Sequence, residues 1–161
     1  MKRMIQWRAL LKGDNVEQID DFKRILVAID GSECSARVIA RASSIAVAAS
    51  SDVHLISVVE VPGAIASEEE LETPELQFEG KKLIDCQKEL IDKYLAGYNL
   101  NVKSHVSYGD PDNEILDYAD AIGADLIVVG RGKCNRALRL FLGSISEEVM
   151  KKAKCSVMIA R

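Results

Sequence analysis

The chain has 161 residues, 48% apolar and 29% charged, with a formal net charge of −4. At roughly 150 residues per domain this is one domain, large enough to bury a core without disulfides or metal. The composition excludes disorder, collagen and coiled coil as the main state, and an acidic chain of pI ≈ 5.3 lacks the long-range attraction of a general binder of nucleic acid or anionic membrane.

Residues 1–22 mix Arg, Lys, Asp and Gln with a few large apolar groups, and Lys12-Gly13-Asp14-Asn15 is a turn signal. We read them as an N-terminal extension ahead of one domain over 23–161. The start is basic (Lys2, Arg3), but Arg8 and Lys12 interrupt the apolar stretch, unlike a signal peptide. No apolar run approaches the ~20 residues that span a bilayer. A cytoplasmic protein is the expectation. Cys34, Cys86, Cys134 and Cys155 form no CxxC pattern, so free thiols are expected in a reducing compartment.

Regular patterning starts at Arg24. Ile25-Leu26-Val27-Ala28-Ile29 is an unbroken apolar run ending at Asp30-Gly31-Ser32, which suits a parallel strand buried on both faces. Ile39, Ala42, Ile45, Ala46 and Ala49 then recur at helical spacing. Val53–Val59 reads as a second strand, and 60–75 as a long acidic loop. Helical periodicity resumes with Leu83, Leu90, Ile91, Tyr94 and Leu95 and stops at Ala96-Gly97. Asn101–Ser107 alternates, as a strand near a sheet edge does.

Asp110 as N-cap and Pro111 at the first helical position start a helix that ends at Gly123. Leu126-Ile127-Val128-Val129 is a fourth strand closing at Gly130. Ser144 starts the last helix and 156–160 the last strand. This alternation predicts a single five-stranded parallel α/β sheet with right-handed crossovers and helices on both faces.

In such sheets ligands bind beyond the carboxyl ends of the strands, where strand order reverses. Two strand ends carry suitable chemistry. One is Asp30-Gly31-Ser32. The other is Gly130-Arg131-Gly132-Lys133, continuing to Gly143-Ser144. Between Gly130 and Ser144 lie Arg131, Lys133, Arg136 and Arg139 and no carboxylate, so the rest of the chain is more acidic than the total. A local cationic loop on an acidic protein points to a specific anion.

Gly143-Ser144 sits at a helix N-terminus, where free N–H groups and the dipole favour phosphate. The competing reading is that Ser144-x-x-Glu147 is a capping box. The Walker pattern fails, because Ile127 holds its first glycine position and Cys134 its hydroxyl position. The dinucleotide pattern G-x-G-x-x-G fails at Asn135.

The remaining candidates have simpler readings. His54 and His105 lie inside strands with no second ligand at metal spacing, so no metal site is nominated. Asp110 and Asp112 are read as helix-start groups rather than a catalytic pair. Glu68-Glu69-Glu70 reads as a solvated loop. Cys34 reads as an inert thiol because Glu33 opposes thiolate formation. No catalytic constellation can be nominated.

ILVAIDGSECS at 25–35, GDPDNEILDYADAIGADLIVVG at 109–130 and the segment from Gly130 to Ala160 together resemble the universal stress protein family, collinearly over about 24–161. The resemblance implies strand order 3-2-1-4-5 (the adenine nucleotide α-hydrolase-like arrangement) and a homodimer paired through the C-terminal strand. Its ATP-binding branch carries G-x2-G-x9-G-[ST]. Here Gly130 matches the first glycine and Gly143-Ser144 the closing pair.

By the same resemblance Asp30 would hold the ribose and adenine region, Ala28 and Val58 would line the adenine, and Arg131, Gly132 and Ser146 would neighbour phosphate. The second motif glycine falls on Lys133, with Gly132 one residue early. A non-glycine residue forced into a left-handed backbone there costs ~1–2 kcal/mol, unless a shifted loop lets Gly132 substitute while Lys133 adds charge. Cys155-Ser156-Val157 also departs from the family's frequent Cys-Pro-Val.

The expected function is that of an adenine-nucleotide-binding regulatory module, sensing stress or energy state as a homodimer. ATP is the expected ligand, with AMP or ADP as variants and Mg²⁺ accompanying the phosphates. Neither nucleic acid nor membrane is an expected partner. The alternative is a member of the family without nucleotide, acting through protein–protein contacts; slow ATP hydrolysis is the most that an enzymatic reading allows.

Overall fold

The computed structural model describes residues 22–61, 73–132 and 143–161. The extension at 1–21, the Glu68–Glu70 run and Lys133 lie outside the described residues. The elements are β1 (Arg24–Ala28), α1 (Ser35–Ala49), β2 (Asp52–Glu60), α2 (Pro74–Tyr94), β3 (Val102–Gly109), α3 (Pro111–Ile122), β4 (Leu126–Gly130), α4 (Ser144–Lys152) and β5 (Ser156–Ala160). The five strands form one sheet in the order β3-β2-β1-β4-β5, all neighbours parallel. The expected topology is therefore the observed one.

The apolar runs explain the central position of β1 and β4. Ile25, Leu26 and Val27 are fully buried, as are Ile127 and Val128. Odd and even positions of β1 feed opposite layers. Ile25 and Val27 pack with Val38, Ile39, Ala42 and Ala46 of α1, and with Leu90, Ile91 and Tyr94 of α2. Leu26 and Ala28 pack with Ile115 and Ala119 of α3 and Val149 of α4. A strand covered on both faces has no polar side to present, hence the continuous hydrophobic run.

Local chemistry sets the boundaries. The α2 start uses Pro74 at the first turn and Thr73 as N-cap, whose hydroxyl accepts from Leu76 N at 3.4 Å. The helix thus reaches into the stretch expected to be loop. Gly123 ends α3 in the left-handed conformation at φ 61°. Asp125 Oδ2 accepts from the backbone N–H groups of Lys23 and Arg24, at 2.9 and 2.8 Å, which ties the entry of β1 to that of β4. Asp110 stands at the N-cap of α3 as expected, but without a side-chain cap bond; its Oδ2 accepts from Asn113 Nδ2 at 3.1 Å instead.

The outer strands differ. The alternating segment forms the β3 edge, with Lys103, Ser104 and His105 exposed. The β5 edge carries half-buried Val157, Met158 and Ile159. Among the described residues no helix is long and apolar enough to cross a membrane.

His54 is a structural residue, as read from its context. It is buried, and its Nδ1 lies 3.2 Å from the Tyr118 hydroxyl. Tyr118 in turn stacks on His105, with ring centroids 4.5 Å apart. Cys86 and Cys155 are free, and burial is the main cause raising the pKa of each thiol. Cys34 corrects the expectation of free thiols throughout: it is disulfide-bonded, to a partner outside the described residues. The absence of a CxxC pattern, on which that expectation rested, speaks only to cysteines adjacent in sequence.

Candidate functional site

The chain leaves β1 toward β2 and β3 on one side and later returns to place β4 and β5 on the other. The carboxyl ends of β1 and β4 therefore part at the reversal of strand order, and a cavity of about 620 Å³ opens there. This is an ordinary size for a small-molecule site. Its floor is apolar: Ala28, Ile56, Val58, Ile115 and Val129. Its polar lining is Asp30, Ser35, Glu60, Arg131, Ser144 and Ser146, of which Ser35 and Ser146 are buried.

The residues expected from sequence converge on this cavity. Ala28, Asp30, Val58, Gly130, Arg131, Gly132, Gly143, Ser144 and Ser146 all line it. Lys133 lies outside the described residues. Ser35, Ile56, Ile115, Glu60 and Val129 line it too and were not named beforehand. Their signals were ambiguous, since four of the five read equally well as helix or core positions.

Asp30 is held in place by its own turn. Its Oδ1 accepts from Ser32 N and from Ser35 Oγ, each at 3.0 Å. Burial pushes the Asp30 pKa up, but the bonds from Ser32 and Ser35 outweigh it, and the group stays below the ordinary carboxylate value. Gly31 turns the chain at φ +74°, against Leu83 of α2.

The glycines at the other end make a close backbone junction. Gly132 has φ +96°, and a Cβ built on it would lie 2.8 Å from Gly143 Cα. Gly143 N donates to Arg131 O at 2.7 Å. Ser146 Oγ, which is buried, donates to Gly143 O at 2.9 Å and lies 3.4 Å from Arg131 O. The Ser146 hydroxyl thus braces the junction.

The capping-box reading of Ser144 fails. The N-cap of α4 is Gly143, with no side-chain cap bond, and Ser144 is the first helical residue. Ser144, Ile145 and Ser146 occupy the first three helical positions, whose N–H groups have no intrahelical acceptor. A helix that starts without a side-chain cap at a cavity rim presents these donors, and the positive end of its dipole, to an anion.

One backbone edge also opens onto the cavity. The β1 chain turns away after Ile29, whose N–H donates to Ile56 O at 3.0 Å. β2 runs on to Glu60. Alternate β2 residues face β1, beginning with Asp52 N, which donates to Lys23 O at 2.8 Å. Val58 falls in that set, so its backbone N–H and C=O lie past the end of β1.

Fold and site together define a doubly wound α/β protein with a cavity at its topological switch point, one end of it formed by the start of α4. The model of the Universal stress protein family matches residues 21–161, and the chain belongs to that family. Among curated relatives it is similar to universal stress protein MJ0531 of Methanocaldococcus jannaschii, 29% identical over 144 residues, covering 87% of this chain and 82% of that one. It is equally similar to universal stress protein YxiE of Bacillus subtilis, 29% identical over 154 residues and covering 87% and 99% of the two chains. Among solved structures it resembles UspA from Lactobacillus plantarum, with a TM-score of 0.70, 26% identity and coverage of 87% and 98%. It also resembles a universal stress protein in complex with cAMP, with a TM-score of 0.68, 26% identity and coverage of 88% and 98%.

Proposed function

We propose that the cleft binds an adenine nucleotide, with the base over β2, the ribose beside Asp30 of β1 and the phosphates at the start of α4. The carrying observation is the uncapped α4 N-terminus, held by the Gly132–Gly143 junction at one end of an apolar cavity. The layout follows the sheet. β2, β1 and β4 are successive neighbours, so base-end and phosphate-end groups stand roughly 10 Å apart, two strand spacings. That matches the length of a nucleoside monophosphate. The similar universal stress protein bound to cAMP supports the ligand class.

Base choice follows from the free edge of Val58. A backbone N–H beside a C=O complements the N1 acceptor and N6 amine of adenine. Guanine presents the reverse order, an O6 acceptor and an N1–H donor. ATP, ADP and AMP all share this base. Further phosphates would bring Mg²⁺ with them; among the described residues no group of three or more His, Cys, Asp or Glu is placed to hold a metal itself.

The module acts, in this reading, as a homodimeric sensor. The β5 edge, with half-buried Val157, Met158 and Ile159 beside open backbone groups, is suited to pairing with a second copy. The family alternative, a member without nucleotide, is separated by one experiment. Denatured protein is analysed for released small molecules by mass spectrometry, and purified protein is titrated with AMP and with Mg·ATP to millimolar concentration. Released adenine nucleotide, or saturable heat lost in Gly143→Val, supports the proposal. The absence of both signals rejects it.

A further inference from the structure

Ile56, Val58 and Glu60 alternate onto one face of β2, and all three line the cavity. Glu60 is the last residue of the strand and is exposed. Its register partner on β3 is Gly109, and the place of the missing side chain there is taken by Glu114, whose Oε1 would lie 2.9 Å from a Cβ on Gly109. The opposite wall at this end is Pro111 and Ile115. Of the residues lining the cavity, Glu60 is the charged one carried by β2, separated by β1 from β4 and Arg131.

At neutral pH a carboxylate of this kind only accepts hydrogen bonds. A ligand group placed against it must be a donor; an acceptor there would be repelled. The adenine amine has two hydrogens. The Val58 backbone carbonyl can take one, and Glu60, two residues further out on the same strand, is placed to take the other. Building on the proposed binding of an adenine nucleotide, we infer that Glu60 is a specificity residue that recognises the exocyclic amine of the base.

The inference differs from simple electrostatics in sign. If Glu60 only added negative charge near an anionic ligand, removing it would tighten every nucleotide alike. If it accepts from the amine, removing it weakens only bases that carry one. Purine riboside 5′-monophosphate is AMP without the amine, so the two ligands form a matched pair.

The test is isothermal titration of wild type and Glu60→Ala with AMP and with purine riboside 5′-monophosphate. Wild type should prefer AMP, and the preference should fall roughly tenfold in Glu60→Ala, the loss of one hydrogen bond to a charged group. A preference unchanged by the substitution overturns the role of Glu60, even with AMP bound normally. If wild type binds neither ligand, the underlying nucleotide reading fails and the inference with it. Circular dichroism and melting of the variant confirm that the comparison is between folded proteins.

Discussion

Gly132 and Gly143 touch through their backbones: a Cβ on Gly132 would come within 2.8 Å of Gly143 Cα, and Gly132 holds φ +96°. The position that needs glycine is therefore Gly132, one residue before the place the family motif assigns.

Gly132→Ala should disturb the phosphate end on two counts. The left-handed backbone alone costs an alanine ~1–2 kcal/mol, and the new methyl group must push the α4 start away. Nucleotide affinity should fall at least about tenfold in titration calorimetry. The melting temperature should drop by a few degrees. Affinity within twofold of wild type would show that the junction does not shape the site.

Asp30 carries a pH signature. Burial raises its pKa, but the bonds from Ser32 and Ser35 prevail and leave it below 3.8. A carboxylate depressed in the folded state stabilises the fold above its unfolded value of 3.8, and that contribution is lost as pH falls through the lower, folded value. Urea midpoints between pH 5 and pH 2 should therefore decline more steeply in wild type than in Asp30→Asn. Parallel curves would remove Asp30 from the acid response.

His54 titrates with the same sign in a higher window. Burial, followed by the charge of Lys103, lowers its pKa, while Asp52 opposes them. Below the unfolded value of 6.5 the unfolded chain binds this proton more readily than the folded one. Stability is thus complete above pH 6.5 and erodes as pH falls below it. His54→Gln should flatten denaturation midpoints between pH 7 and pH 5, and a slope equal to wild type would contradict the assignment.

The β5 edge makes a geometric prediction. Ser156 N donates to Asp125 O at 3.3 Å, on the β4 side. By the two-residue alternation of a strand, Val157 N–H faces the open edge. Val157→Pro removes this outward donor without taking a bond from the β4 ladder. If two copies pair through β5, sedimentation should shift from dimer to monomer with helical content retained. A dimer that survives the substitution places the contact elsewhere.

Much of the fold was legible because its causes are local. The run from Ile25 to Ile29 declares burial on both faces, Asp110-Pro111 declares a helix start, and Gly123 declares a helix end. Asp30, Gly130 and Gly143 could be nominated since strand ends in a parallel sheet gather on one side. The limits of the reading appear where a local rule competed with a distant contact. Ser144-x-x-Glu147 satisfies the capping-box pattern, yet the junction with Gly132 makes Gly143 the cap and moves Ser144 into the helix.

Sequence alone determined the layers, the strand order implied by family resemblance, and the end of the sheet where a ligand would sit, because periodicity and turn chemistry act over a few residues. Only the tertiary structure decided which glycine carries the left-handed turn at the junction, which serine braces it and which carboxylate lines the cavity from β2. Those facts depend on β2, β1 and β4 lying side by side with segments distant in the chain, and no local pattern encodes a distance between them.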